Sequence, residues 1–308
     1  MPRPRPGRLS LDEAFPAHDP DLATRWLTLA GGERVRAVVA EPAAGTAGAP
    51  VVEPPTVLCV PGWGCLAYSF RRVLAPVAAL GLRAVAVDLR GHGWSDKPLR
   101  TEAYTPAALA AWTAAVLDAL GAPSAILVGH SLGGMVALEA ALAAPARVAG
   151  LVLVAPLGLS RVARLGLLRY VTPAALAPLL PRLATRSAVR VGLAALYGPG
   201  RGPTDRDVDE YWAPTADPAL ALATRLVAHA DRWAAVDRAR LTAVRCPAHV
   251  LLGDRDALLA VRDVEPLARA LPRLTFEVLP GVGHVPAEEA PARVVAAVAG
   301  VAAAAADA

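Results

Sequence analysis

Apolar residues in this chain gather in short unbroken runs separated by longer stretches of helical spacing. Thr56 to Val60, Arg83 to Val87, Ser124 to Leu127, Ala149 to Val154, His249 to Leu252 and Leu274 to Val278 are such runs. Each has the length and two-faced hydrophobicity of a strand buried in a parallel sheet. Between them the spacing predicts helices over Ser69 to Leu80 (closed by Gly81), Thr105 to Leu120, Met135 to Leu142, Val261 to Ala270 and Ala287 to Ala305. Nearer the start, Trp26 to Leu29 and Val35 to Val39 flank Gly31-Gly32 and read as a hairpin. Residues 41–55, rich in Pro, Gly and Ala, read as a loop. Strands alternating with helices predict an α/β fold, an open and mostly parallel sheet with helices on both faces. The alternation stops near Pro156 and resumes near residue 238. Residues 157–237 hold short helical patterns cut by prolines and no clear strand. The expected organisation is a lead-in over 1–22, poorly ordered and rich in Pro, Arg and Asp, an α/β core over 23–156 and 238–308, and a helical insertion over 157–237 lying above the sheet.

Composition narrows the classes. At 308 residues and 55% hydrophobic, the chain can bury a sizeable core. Lys97 is the one lysine among 31 basic residues, so the basic content is arginine scattered among acids. A net charge of +4 with no basic cluster gives no nucleic-acid patch. Cys59, Cys65 and Cys246 are odd in number and widely spaced, which argues against a disulfide framework or a zinc site. No apolar segment follows the arginines of the N-terminus, and the run Val294 to Ala306 is too short to span a bilayer. The expectation is a soluble cytoplasmic protein without an integral membrane segment.

Candidate chemistry centres on Val128-Gly129-His130-Ser131-Leu132-Gly133-Gly134, between a predicted strand and a predicted helix. A serine at that turn, with glycine two before and two after, is the G-x-S-x-G nucleophile elbow in its expected context. Alone, the same residues also read as a helix capped by Ser131. A serine hydroxyl needs an adjacent base, usually a histidine oriented by a carboxylate. In open α/β sheets such groups gather beyond the carboxyl ends of the strands. A carboxylate and then a histidine should therefore follow later strands. Gly253-Asp254-Arg255-Asp256 follows one, and Pro280-Gly281-Val282-Gly283-His284 follows the next. Asp254 and Asp256 are two apart, so side-chain alternation does not choose between them. His284 is the one histidine of six in a glycine-rich turn directly after a late strand. His92, in the turn after an earlier strand, is its rival, and the His130 ring should point away from the serine hydroxyl. An oxyanion needs two backbone donors. The N–H of Leu132 is one, and that of Trp63, in Gly62-Trp63-Gly64 after an early strand, is the other, with the Trp63 ring as a pocket wall.

Taken in order, Pro61-Gly62-Trp63-Gly64, Asp88-Leu89-Arg90-Gly91-His92-Gly93-Trp94-Ser95, Gly129-His130-Ser131-Leu132-Gly133-Gly134, Gly253-Asp254-Arg255-Asp256 and Gly283-His284 resemble the α/β-hydrolase-fold enzymes with a helical cap, over residues 25–305. The resemblance implies Asp256 as the acid, the last position of Gly-x-x-Asp, and a structural part for the loop that contains His92. Pro61 stands where the family usually has histidine, a loop organiser, and the oxyanion loop is expected to persist. By the same resemblance, epoxide- and halide-processing relatives use aspartate at the elbow, where this chain has Ser131. The oxyanion segments of proline iminopeptidases and of ring-cleavage C–C hydrolases, and the Ser-Met pair of haloperoxidase-like members, are also missing.

What the resemblance leaves is a serine carboxylesterase acting without cofactor or metal on a small-molecule ester with an apolar acyl group. A lactone, a thioester or a C–C bond beside a ketone could be cut by the same triad, and a non-catalytic binder is the reading from another class. The insertion, with Arg161, Arg164, Arg169, Arg182, Arg186 and Arg190 among Leu, Ala and Val, reads as an apolar lid or as ordinary amphipathic helices with a solvated arginine face. Tyr197, Tyr211 and Trp212 are expected to line its pocket.

Overall fold

The computed structural model describes residues 8–43, 55–160, 180–230 and 235–307. Eight strands, β1 (Ala23–Thr28), β2 (Arg34–Ala40), β3 (Thr56–Val60), β4 (Arg83–Val87), β5 (Ala125–His130), β6 (Val148–Val154), β7 (Ala248–Gly253) and β8 (Leu274–Leu279), form one sheet in the order β1-β2-β4-β3-β5-β6-β7-β8. The β1–β2 hairpin pairs antiparallel, as does β2 with β4. The pairs from β4 and β3 to β8 are parallel. Among the described residues the helices are α1 (Leu74–Ala78), α2 (Pro106–Ala119), α3 (Leu132–Ala143), α4 (Leu180–Leu183), α5 (Arg186–Ala194), α6 (Asp205–Trp212), α7 (Pro218–His229), α8 (Arg238–Leu241), α9 (Val261–Ala268), α10 (Pro286–Glu289) and α11 (Pro291–Ala306).

The period-2 alternation of strand side chains sorts the core into two layers. Leu58, Val60, Leu127, Leu151 and Leu153 point to one face, where Trp112 and Val116 of α2, Val136 and Leu138 of α3 and Val264 of α9 cover them. Val57, Cys59, Val128, Val152 and Val154 point to the other, under Leu74 and Val77 of α1 and Val294 and Val298 of α11. Each such buried Val or Leu stabilises the fold by roughly 1.5–3 kcal/mol relative to exposure. This burial on both faces is why the strands read as continuous apolar runs.

Three expectations are corrected. The helix predicted over Ser69 to Leu80 is a short 3-10 turn, Ala67–Phe70, followed by the five-residue α1. Pro76 lacks an N–H and fits only the first turn of a helix, so α1 begins beside it. The terminal helix is likewise divided, since Pro291 opens α11 after the single turn of α10. The described part of the lead-in is packed against the fold. Phe15 is buried edge-on against Tyr68, its N–H donates to Glu210 Oε1 at 2.8 Å, and the Arg36 guanidinium donates to the Phe15 carbonyl. The cluster of Pro, Arg and Asp hid the apolar contacts of Ala14, Phe15 and Leu22.

Between β6 and β7 the described chain is helical, and the two ends of this insertion meet where Val236 N–H donates to Gly158 O at 2.8 Å. Arg161, Arg164 and Arg169 lie outside the described residues. Arg186 and Arg190 pair with Asp205, and Arg186 also with Asp209, so α5 is tied to α6 on its polar side.

Candidate active site

Four loops leave the carboxyl ends of β3, β5, β7 and β8 on the same edge of the sheet. They carry Trp63, Ser131, Asp256 and His284 respectively. Ser131 sits between β5 and α3 with φ 51° and ψ −114°, a backbone region that non-glycine residues seldom occupy. Such strain is of order 1–3 kcal/mol and needs surrounding structure to hold it. Here Ser131 N–H donates to Val154 O at 3.0 Å, and Ser131 O accepts from Leu157 N–H at 2.8 Å. The flanking glycines are required by space. A Cβ at Gly133 would lie 2.0 Å from Val60 O, and one at Gly129 would lie 2.4 Å from Gly133 O.

His284 Nε2 is 3.0 Å from Ser131 Oγ, and His284 Nδ1 is 2.7 Å from Asp256 Oδ2. The carboxylate fixes the Nδ1–H tautomer, which leaves the Nε2 lone pair facing the serine hydroxyl. The other oxygen of Asp256 accepts from Leu258 N–H at 2.7 Å and Leu259 N–H at 2.9 Å. Asp254, the alternative left open by spacing, turns aside and accepts from Gly281 N–H at 2.7 Å. Leu132 is the first residue of α3, and its N–H and that of Trp63 carry no hydrogen bond to another described residue. The Trp63 indole donates to Thr224 O in α7 at 2.9 Å.

These groups open into a cavity of about 610 Å³ between the sheet edge and the insertion. Its wall is largely apolar and includes Trp63, Leu157, Leu193, Leu196 and Tyr211. A smaller cleft of about 310 Å³ lies among alanines of α2 and α3, away from Ser131. Tyr211 therefore reaches the cavity, but its hydroxyl is engaged by Ser69 Oγ and Glu288 Oε1. Tyr197 and Trp212 are not among the described residues that line the cavity. Tyr197 Oη donates to Glu288 Oε2 at 2.7 Å, and Trp212 donates to Ala184 O at 3.0 Å beneath the Arg8 guanidinium. Aromatic character marked them in the sequence, yet the polar end of Tyr197 is held at the seam between insertion and core, and that of Trp212 within the insertion.

Two further histidines border the cavity. His92 is buried, with Nδ1 3.1 Å from Arg90 O, and burial pushes its pKa down to about 4. His130 is pushed down to about 3 by burial and then by its neighbour His284. Its Nε2–H donates to the His284 carbonyl at 2.8 Å, with the two rings 5.2 Å apart. This contact was missed in the sequence, where His130 showed only as a neighbour of Ser131. Also missed were Glu288 and Glu289, whose signal is an acidic pair between Pro286 and Pro291 in an apolar stretch.

A family model described as the alpha/beta hydrolase fold matches residues 55–291. The chain belongs to the α/β-hydrolase fold family. As a member it is a hydrolase. An uncharacterized protein of Mycobacterium tuberculosis is 32% identical over 254 residues, covering 78% of this chain and 72% of that one. Among solved structures, an epoxide hydrolase from an endophytic Streptomyces has a TM-score of 0.76 at 26% identity, covering 92% of this chain and 96% of that one. A carboxylesterase of Bacillus subtilis shares the fold with a TM-score of 0.66 at 18% identity, covering 91% of each chain. No helix among the described residues of this α/β-hydrolase is long and apolar enough to cross a membrane.

Proposed function

We propose that this α/β-hydrolase is a serine hydrolase that cleaves carboxylic esters with an apolar acyl group, and that residues 157–237 form a cap over its acyl pocket. The observation that carries this reading is the hydrogen-bonded series Asp256–His284–Ser131, at 2.7 and 3.0 Å, opening into an apolar cavity. Ser131 Oγ attacks the ester carbonyl while His284 Nε2 takes its proton. The oxyanion forms against the N–H groups of Leu132 and Trp63, with the N-terminus of α3 behind it. His284 returns the proton to the leaving alcohol, and water activated by the same imidazole releases the acid.

The family likeness extends to epoxide hydrolases, and the nucleophile separates the two chemistries. A carboxylate that opens an epoxide forms an ester, which water can cleave at its carbonyl. Ser131 would form an ether, which this constellation has no means to hydrolyse. The test is Ser131→Ala against short- and medium-chain p-nitrophenyl esters, with fluorophosphonate labelling of the wild type. Loss of turnover by at least about 10³-fold is expected. Undiminished hydrolysis by the alanine variant overturns the assignment, and a wild type that resists the probe indicates a binder.

A further inference from the structure

Three consecutive residues of the cap reach the loop and short helix that carry His284. Leu196 O accepts from His284 N–H at 2.7 Å. Tyr197 Oη donates to Glu288 Oε2 at 2.7 Å. Gly198 N–H donates to Glu289 Oε2 at 2.9 Å. The other oxygen of Glu289 accepts from Gly283 N–H at 2.8 Å, so one carboxylate holds the cap and the residue before the base together. That side chain is 1% exposed. The backbones touch as closely as glycine permits. A Cβ on Gly198 would lie 2.2 Å from Gly281 O, and one on Gly283 would lie 2.3 Å from Leu196 O.

We propose that the cap segment Leu196–Gly198, tied through Glu289, is a positioning element for His284, so that the base is set against Ser131 only while the cap is seated. The inference rests on the serine-hydrolase reading. On its core side His284 is held by His130 Nε2–H at its carbonyl, and on its cap side by Leu196 O at its N–H. A base must keep its geometry to a fraction of an ångström, and displacement by about 1 Å can cost 10²-fold in rate. Lifting the cap to admit substrate removes the Leu196, Tyr197 and Gly198 contacts together. The imidazole is then free to leave the serine, and an open site is a poor hydrolase. Leu196 also lines the cavity, so an acyl group packed against it presses on the residue whose carbonyl holds the base. Substrate binding and assembly of the base thereby share one segment.

Glu289→Gln and Gly198→Ala test this from opposite sides of the junction. Glutamine keeps the shape of the side chain but turns an NH₂ toward one of the two N–H donors. The alanine methyl clashes with Gly281 O and so forces the cap segment and the His284 loop apart, with no side chain of the core altered. The measurement is the pseudo-first-order rate constant for fluorophosphonate labelling of Ser131, with its pH profile. Measured well below each variant's melting temperature, where the unfolded fraction is negligible, this constant reports the folded site alone, whereas a merely structural role lowers only the melting temperature. The expected result is ~10–100-fold slower labelling for each variant, a shifted pH profile, and a double variant no slower than the worse single. Labelling at the wild-type constant, with or without a lower melting temperature, overturns the coupling. If Glu289→Gln does not fold, Gly198→Ala decides alone. A wild type that is not labelled overturns the hydrolase reading, and the coupling with it.

Discussion

Asp256 and Asp254 differ in what their oxygens meet. The Asp256 side chain is fully buried, with one oxygen on His284 Nδ1 and the other on two backbone N–H groups. Those N–H bonds aim the carboxylate, and the carboxylate aims the imidazole. Asp256→Asn offers an amide N–H as readily as a carbonyl to Nδ1, which admits the wrong tautomer. A kcat loss of roughly 10²–10⁴-fold is expected at similar KM. Asp254→Asn alters only the turn at Gly281 and should leave kcat near the wild-type value. Steady-state kinetics on one ester compares the two, and equal losses would remove Asp256 from its assigned role. Spacing alone could not have separated this pair, because what separates them is the path of the turn after β7. Pro61 illustrates the same limit in the other direction. A residue unlike the family's usual histidine precedes a loop in which a Cβ at Gly62 would still lie 3.0 Å from Ser131 Cβ, so the approach to the elbow is kept.

At the scale of elements, the contact between core and insertion includes a polar seam beside the apolar cavity. Arg71, in the turn between the Ala67–Phe70 3-10 helix and α1, pairs with Glu288 of α10 at 2.9 Å and Asp207 of α6 at 2.8 Å. Tyr68 Oη donates to the same Asp207 at 2.7 Å. Asp207 also closes a capping box with Thr204, so α6 is started and docked by one side chain. Arg71→Met leaves Glu288 and Asp207 without their shared cation in a dry seam. Removing one partner from buried ion pairs costs about 3–5 kcal/mol, and a urea melt should show a loss of that order. A loss below about 1 kcal/mol would mean that the seam is hydrated. This seam shows what was legible in the chain and what was not. Strands with continuous apolar runs announced themselves, since burial on both faces leaves little freedom in composition. Ser131 and His284 stood out because glycine-rich turns follow particular strands, and the structure brings the two side chains to 3.0 Å. The acids and tyrosines of the seam follow no period, because their partners come from distant segments, 139 residues away for Tyr68 and Asp207 and 77 for Tyr211 and Glu288. The packed lead-in was obscured for the same reason, its anchors being Glu210 and Arg36.

For the molecule as a whole, the buried histidines set how stability depends on pH. His92 and His130 fold with pKa values lowered to about 4 and about 3, both chiefly by burial, against an unfolded value of 6.5. Both are neutral in the folded state at pH 6, whereas the unfolded chain is mostly protonated at these positions there. Well above pH 6.5 neither state binds the proton, and the full stability is present. As pH falls below 6.5, the unfolded chain takes up protons that the folded chain refuses, so stability declines. The decline from His92 ends near pH 4, and that from His130 continues to near pH 3. Each group contributes a slope of about 1.4 kcal/mol per pH unit within its window. Glu210, whose carboxyl is raised by burial, acts in the opposite sense at the acid end of that range. Denaturant melts at pH 7.5, 6 and 5 should therefore show falling stability, steepest below pH 6. His92→Gln separates this cause from general acid unfolding, since glutamine does not titrate and retains an N–H for Arg90 O. Its stability should fall less steeply than that of the wild type between pH 6 and 5, by about 1.4 kcal/mol per pH unit. Parallel slopes would show that His92 is hydrated and charged in the fold. The same neutrality bears on the site itself, because a His130 that stays uncharged down to about pH 3 keeps a second positive charge away from His284 at the step where the proposed mechanism gives His284 the proton of Ser131.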